Sequence, residues 1–394
     1  MTVYLDHAAS SPLRPEVLEQ MLPHLAGEGG NPSSPHGPGR RARQALDEAH
    51  ERLARSIGAE ARGIVFTAGG TEAINLAVKG AAWARKASGH RIITTAVEHK
   101  AVLESCLLLE KYGFDVHRLP VDRYGRVDPD DLTLALSDAT ILVSLQLANN
   151  EVGTIQPVAE LIERVRARSA ALLHIDAVQA AAHLPIDVEA LGADLVSFAA
   201  HKVEGPKGIG ALWIRRGTAI LPQIHGGSQE RYRRAGTENV AGAVGMAAAF
   251  ELAAAERPTV VPQLTARRDR LRATLFAVGD VEVTGHPVER LPGCLSVVVR
   301  GLVGDDLVMA LDLEDIACST GSACTTGSSE PSHVLSAMGY PPSEARAALR
   351  LSLGRGSSDE DIAHAHDVLP RVIRRLRDGL AQVAGPGASG ASEA

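Results

Sequence analysis

Residues 195–216 read LVSFAAHKVEGPKGIGALWIRR: an apolar run, a His-Lys pair at its end, a Gly-Pro turn and a second apolar run. Short apolar runs bounded by Gly and Pro pack as buried strands, so the stretch predicts two strands joined through a polar turn. Toward the N-terminus similar runs recur in ALLHIDA (171–177), ATILVSLQLA (139–148), DVHRLPV (115–121), RIITTA (91–96) and IVFTA (64–68). Helical patterns begin between them near Thr71, Ala101 and Val158. The alternation predicts an α/β fold with a mostly parallel sheet between helical layers, whose ligands gather at the carboxyl ends of the strands.

Toward the C-terminus an Ala-rich helix is expected from about 240 to 256, ending where Pro258 disfavours helix at the residue before it. This places a boundary at 257: a large domain over 1–257, and a smaller α+β domain over 258–384. The smaller domain would hold a helix at 263–278, a strand at CLSVVVRGL, a helix at DDLVMALDLED, a Gly/Ser-rich stretch over 318–330, the strand RLSLGR and a terminal helix from Asp359. The first dozen or so residues are expected to pack on the small domain, and the tail GPGASGASEA (385–394) to be disordered.

Composition narrows the function classes. At 394 residues, with 45% hydrophobic and only 3% aromatic residues, the chain has the length of two domains and argues against an all-β sandwich. A net charge of −7 gives no general attraction for nucleic acid or an anionic membrane, so neither is an expected partner. No apolar run approaches the roughly 18 residues of a membrane span, and MTVYLDHAAS lacks a signal series; a cytoplasmic location is expected. The four cysteines form no CxxC pair and no zinc spacing, so no metal is expected.

Chemistry-bearing residues fall at the ends of the predicted strands. Gly70 and Thr71 open a helix directly after IVFTA, where small residues let backbone N–H groups approach a phosphate, although a glycine turn with a threonine cap reads equally well. Asp176 and Gln179 sit at the carboxyl end of the ALLHIDA strand, and a buried carboxylate there needs a cationic or protonated partner such as a pyridinium nitrogen. Lys202 follows LVSFAA beside His201, placing an amine able to form a Schiff base at the cleft. Together these are the three supports that pyridoxal phosphate (PLP) requires. His99 after RIITTA could stack on a flat ring, and Asn149 and Asn150 before Gly153 read either as site or as turn residues. Cys324 stands in CSTGSACTTGSSEPSH, a run too poor in apolar surface for core packing and therefore read as a mobile exposed loop carrying a functional thiol. Cys106 and Cys294 read as core residues and Cys318 as ambiguous, while Arg350 has a fork suited to a carboxylate.

The ordered series YLDHAASSP, GNPSS, FTAGGTEAINLA, TTAVEHKAVL, ANNEVGTIQP, HIDAVQ, HKVEGPKGIGAL, GGSQERYRRAGTEN and STGSACTTG resembles the cysteine desulfurases of the NifS/IscS type, in their long-loop group I branch. The resemblance implies the PLP-dependent aspartate-aminotransferase fold. It implies Lys202 as the residue linked to PLP, Asp176 at the pyridinium nitrogen, Gln179 and Asn150 near the phenolic oxygen, His99 over the ring, and Gly70, Thr71 and His201 around the phosphate. Arg350, with Asn150, would hold the substrate carboxylate. Thr237 in RRAGTEN would reach the phosphate of a neighbouring subunit, which implies a homodimer. The chain departs from the family where Ala199-Ala200 precede His201-Lys202 in place of the usual Ser-Gly, and where Ile74 replaces a usual polar residue.

The implied reaction converts L-cysteine to L-alanine. Lys202 removes the α-proton, and the Cys324 thiolate, deprotonated by a base such as His99, takes the sulfur as a persulfide for a sulfur-acceptor protein such as an Fe-S scaffold or a thiolation enzyme. Another PLP enzyme, an aminotransferase or selenocysteine lyase, would share Lys202 and Asp176 without needing Cys324, whereas a non-catalytic sulfur-carrier scaffold would hold no cofactor.

Overall fold

The computed structural model describes residues 2–27, 29–321 and 330–384. In chain order the elements begin with β1 (Val3–Tyr4), α1 (Pro15–Ala26), α2 (Gly37–Ser56), β2 (Ile64–Thr67), α3 (Gly70–Arg85), β3 (Arg91–Thr95), α4 (Lys100–Lys111) and β4 (Asp115–Leu119). Then follow α5 (Pro129–Ala135), β5 (Thr140–Gln146), α6 (Val158–Arg168), β6 (Leu172–Asp176), α7 (Val188–Leu191), β7 (Leu195–Ala199), β8 (Gly210–Ile214) and α8 (Val240–Val278). The chain continues through β9 (Val281–Val283), β10 (Cys294–Val299), α9 (Gly304–Asp312), β11 (Ile316–Ala317), α10 (His333–Ala337), α11 (Pro342–Ala345), β12 (Ala348–Ser352) and α12 (Asp359–Ala384).

Seven strands form the main sheet in the order β2-β8-β7-β6-β5-β3-β4. Strand β8 runs antiparallel to both β2 and β7, and the remaining pairs are parallel. Successive residues feed opposite faces, as a period of two requires. Ile64, Ile93, Val196 and Trp213 join the core shared with α2, α6 and α8, whereas Val65, Ile92, Leu195 and Leu212 join the core beneath α3 and α4. Burial on both faces is what a β-branched, non-alternating sequence predicts. Because β2 is parallel to β7 through the reversed β8, the carboxyl ends of β2, β3, β5, β6 and β7 share one edge of the sheet.

A second core gathers residues from the C-terminal half of α8, β10, α9, β12 and α12, together with Val3 and Leu5. Its sheet has the antiparallel order β12-β10-β9, and β1 pairs in parallel with β11. The N-terminal segment thereby reaches the cleft between the two cores.

One expectation fails: α8 does not end at Pro258 but continues as a single helix of 39 residues, with Pro258 and Pro262 inside it. A helix-interior proline costs about 3 kcal/mol. Both prolines lie on the exposed face, where water can serve the carbonyls they leave unbonded. Tertiary packing supplies the rest, since Ala243–Ala247 and Phe250 pack in the first core and Leu264, Leu271 and Leu275 in the second. The tail 385–394 lies outside the described residues.

Candidate active site

A cleft of about 390 Å³ opens at the shared strand edge, lined by Gly70, Thr71, His99, Asn150, Asp176, Gln179, His201, Lys202 and Arg350. Each reaches it through the chain's exit from a strand. Thr67 ends β2, and Gly69 turns the backbone at φ 153° to start α3 at Gly70. A Cβ on Gly70 would lie 3.0 Å from a Val178 methyl and 3.3 Å from the Ala199 Cβ, so glycine allows α3 to begin close against the ends of β6 and β7. The unbonded N–H groups of that first turn form an anion seat at the cleft floor.

Asp176 is the last residue of β6 and is buried. Its Oδ1 accepts from Val178 N at 2.9 Å, and burial pushes its carboxyl up to about 6, offset in part by that N–H and by the charge of Lys202. Lys202 ends the short 3-10 turn that follows β7 and donates from Nζ to Ala8 O (2.5 Å) and Ala9 O (2.8 Å). Gln179 Nε2 donates to the same Ala8 carbonyl at 2.9 Å. The N-terminal segment thus braces the amine and the amide together. Lys207, the nearest alternative amine in sequence, is exposed and lines a different hollow.

His99 is the N-cap of α4, and its Nδ1 accepts from Ala101 N at 3.1 Å. Burial first, then the charges of Lys202, His333 and Lys100, push it down to about 4, so it stays neutral at physiological pH. His201, 3.4 Å from Ser10 Oγ through Nδ1, is also pushed to about 4, mainly by burial. Of the two asparagines, Asn149 is the turn residue: its Oδ1 accepts from Glu151 N and Val152 N, while Asn150 lines the cleft.

Arg350 lies in β12 and is only 1% exposed. Its Nη1 donates to Asn150 O and Gly321 O, and its Nη2 to Asp6 Oδ1, leaving Nε without a partner among the described residues. Gln146 Nε2, at the end of β5 in register with Asp176, is buried and unpartnered in the same way. Two orphaned donors, a buried carboxylate held near 6, an amine and a helix N-terminus describe a cleft shaped for a polar anionic ligand with a basic ring atom, which is the chemistry of PLP. The residues therefore fit the cofactor.

Thr237 is exposed and lies away from this cleft, in a hollow with Phe66, Arg234 and Asn239. Cys324 lies outside the described residues. The three described cysteines are poor nucleophiles, because burial pushes Cys106 and Cys318 up to about 12 and raises Cys294 as well.

Sequence reasoning passed over Glu98, Gln146, Glu151 and His333. Glu98 is fully buried, and its Oε1 accepts from Thr95 Oγ1 and Gln146 N. Its carboxyl is pushed up to about 8, first by burial and also by the nearby Asp176, so it is neutral at pH 7. Only its place next to His99 in the sequence could have drawn attention to it.

The aminotransferase class-V family model matches residues 3–364. The cysteine desulfurase IscS of Dictyoglomus turgidum is 50% identical over 376 residues, covering 95% of each chain. That of Methanosarcina thermophila is 47% identical, covering 95% of this chain and 93% of its own. A NifS-like protein of known structure superposes with a TM-score of 0.91 at 37% identity, covering 95% of this chain and all of its own.

Proposed function

The chain belongs to the class-V aminotransferase family and is a PLP-dependent cysteine desulfurase, and from that premise we propose the residues that carry the reaction and the setting in which it runs. The observation that carries the assignment is the convergence of Lys202, buried Asp176 and the N-terminus of α3 on one cleft whose Arg350 Nε and Gln146 Nε2 lack partners among the described residues.

Lys202 would hold PLP through Nζ, Asp176 would face its ring nitrogen, His99 its ring, Gln179 and Asn150 its phenolic oxygen, and Gly70, Thr71 and His201 its phosphate. When bound, the cofactor supplies an electron sink that stabilises loss of the substrate's α-proton. Asp176 serves this by remaining anionic opposite a cation, a state that burial alone opposes. Arg350 offers its unpartnered Nε to the substrate carboxylate, and its hydrogen bonds to Asp6 and Asn150 fix the guanidinium plane. Lys202 Nζ takes the α-proton. The Cys324 thiolate takes the substrate's sulfur, and alanine leaves.

We assign the persulfide's onward transfer to a protein acceptor, an Fe-S scaffold or a thiolation enzyme. The three described cysteines are all free thiols, which suits a reducing cytoplasm. The working unit is a homodimer in which Thr237 completes the partner's phosphate site; its exposure away from its own cleft supports this. We divide the chain into a large domain and a small one, joined through α8 near 257.

Trapping tests the central assignment. Borohydride reduction of the PLP-loaded protein should fix the cofactor on Lys202, and Lys202→Ala should abolish alanine formation. An adduct on Lys207, or turnover in the variant, would overturn it.

A further inference from the structure

We propose that Asp6 is the positioning residue that turns Arg350 into a two-pronged seat for the substrate's α-carboxylate; this rests on the desulfurase reading above and on the place it gives Arg350. A guanidinium carries five N–H donors in a rigid plane. Nη1 donates to Asn150 O at 2.8 Å and Gly321 O at 3.2 Å, and Nη2 donates to Asp6 Oδ1 at 2.8 Å. Two donors are left over among the described residues, one on Nη2 and one on Nε. Those two nitrogens share one edge of the fork, and a carboxylate takes such an edge through two parallel hydrogen bonds.

Asp6 owes its aim to β12 itself. It pairs with Ser352, two residues beyond Arg350, in an isolated parallel bridge. His7 N donates to Ser352 O, Ser352 N to Leu5 O, and Ala8 N to Ser352 Oγ. The acid and the guanidinium are therefore fixed to the same strand. The next residues reach the other side of the cleft, where Ala8 O and Ala9 O accept from Lys202 Nζ. One short segment thus sets the carboxylate seat at one end and the amine that takes the α-proton at the other, so the spacing between them is built into residues 6–9.

Two effects of Asp6 oppose each other. Its charge cancels part of the pull that Arg350 exerts on a second carboxylate. Its oxygen holds the guanidinium plane, whose other partners are the neutral carbonyls of Asn150 and Gly321. The plane decides the outcome. Arg350 is 1% exposed, so a misturned guanidinium finds no water to replace its partners, whereas the Asp6 side chain is 19% exposed and its longer-range repulsion is weakened by solvent. Among the described residues Asp6 is the one carboxylate paired with Arg350, so no second acid takes its part.

The seat recognises the carboxylate and not the rest of the substrate. An amine that carries an α-carboxylate meets both prongs, and an amine without one meets neither. L-alanine, the product of the reaction, and ethylamine, which is alanine without its carboxylate, are therefore a matched pair that isolates the contribution of this edge. A loosened fold weakens both ligands. A misturned Arg350 weakens the first alone.

The test uses the PLP-loaded protein and reads dissociation constants of L-alanine and ethylamine from cofactor absorbance, with KM and kcat for L-cysteine and the melting temperature alongside. Wild type, Asp6→Asn, Asp6→Ala and Asp6→Ser are compared; the serine hydroxyl stops short of Nη2 and serves if the alanine variant does not fold. Asp6→Ala and Asp6→Ser should weaken L-alanine and raise KM by about tenfold, with ethylamine changed by less than about twofold. Asp6→Asn keeps an oxygen for Nη2 and should stay within about threefold of wild type for both ligands. Unchanged or tighter L-alanine binding in the folded alanine and serine variants overturns the proposal, as does an equal weakening of L-alanine and ethylamine. Arg350→Gln is the control: if it leaves the preference for L-alanine over ethylamine intact, the place given to Arg350 fails instead. No alanine formed from L-cysteine by wild type would sink the desulfurase reading itself.

Discussion

Asp176 is a destabilising residue in the cofactor-free protein. Its carboxyl titrates near 3.8 when unfolded and at about 6 when folded, so between those values the folded chain holds the extra proton. The stability this gives is complete below about 3.8 and is lost as pH rises to 6, leaving the buried anion disfavoured by about 3 kcal/mol at neutral pH. Asp176→Asn keeps an oxygen for Val178 N and removes the charge. Urea unfolding at pH 7.5 without cofactor should show the variant more stable by about 2–3 kcal/mol, while its PLP-loaded form loses most alanine formation. An equally active variant would deny Asp176 its place at the ring nitrogen. This position was legible because a carboxylate ending an apolar strand needs a partner. Glu98 was not, because its burial depends on β5 and α10, far away in the sequence, closing over the segment that follows β3.

Among the elements, the strands of the main sheet and the helices after IVFTA, RIITTA and ATILVSLQLA could be read from apolar runs alone. The short pairs β1 and β11 could not, since two residues carry no periodicity and their pairing joins positions 3 and 316. Helix α8 misled for a related reason: proline chemistry is local, whereas the packing that carries the helix through Pro258 is contributed by both cores. The junction between β8 and α3 is equally hidden. A Cβ on Gly210 would stand 2.5 Å from Gly69 C and 2.7 Å from Phe198 O, both backbone atoms that cannot swing away. Gly210→Ala should therefore cost about 1–3 kcal/mol and displace the first turn of α3. Calorimetry should show a lower Tm and equilibrium dialysis weaker PLP retention; unchanged values would mean that the anion seat tolerates movement at this strand.

For the whole molecule, the proposed homodimer makes a claim that one chain cannot satisfy. Thr237 lies exposed outside its own cleft, so a subunit with intact Lys202 should depend on its partner's threonine. A hybrid of one Lys202→Ala subunit and one Thr237→Val subunit should contain one complete site and recover about half of wild-type turnover, while each parent homodimer is impaired. A hybrid no better than its parents would place Thr237 in its own subunit's site.

The destination of the substrate's sulfur tests the desulfurase chemistry most directly. Mass spectrometry of the PLP-loaded protein after brief exposure to L-cysteine, with alanine counted in the same samples, should find one added sulfur on the peptide carrying Cys324 and none on those carrying Cys106, Cys294 or Cys318. Alanine formation with the sulfur on Cys318, or with no protein persulfide at all, would contradict it.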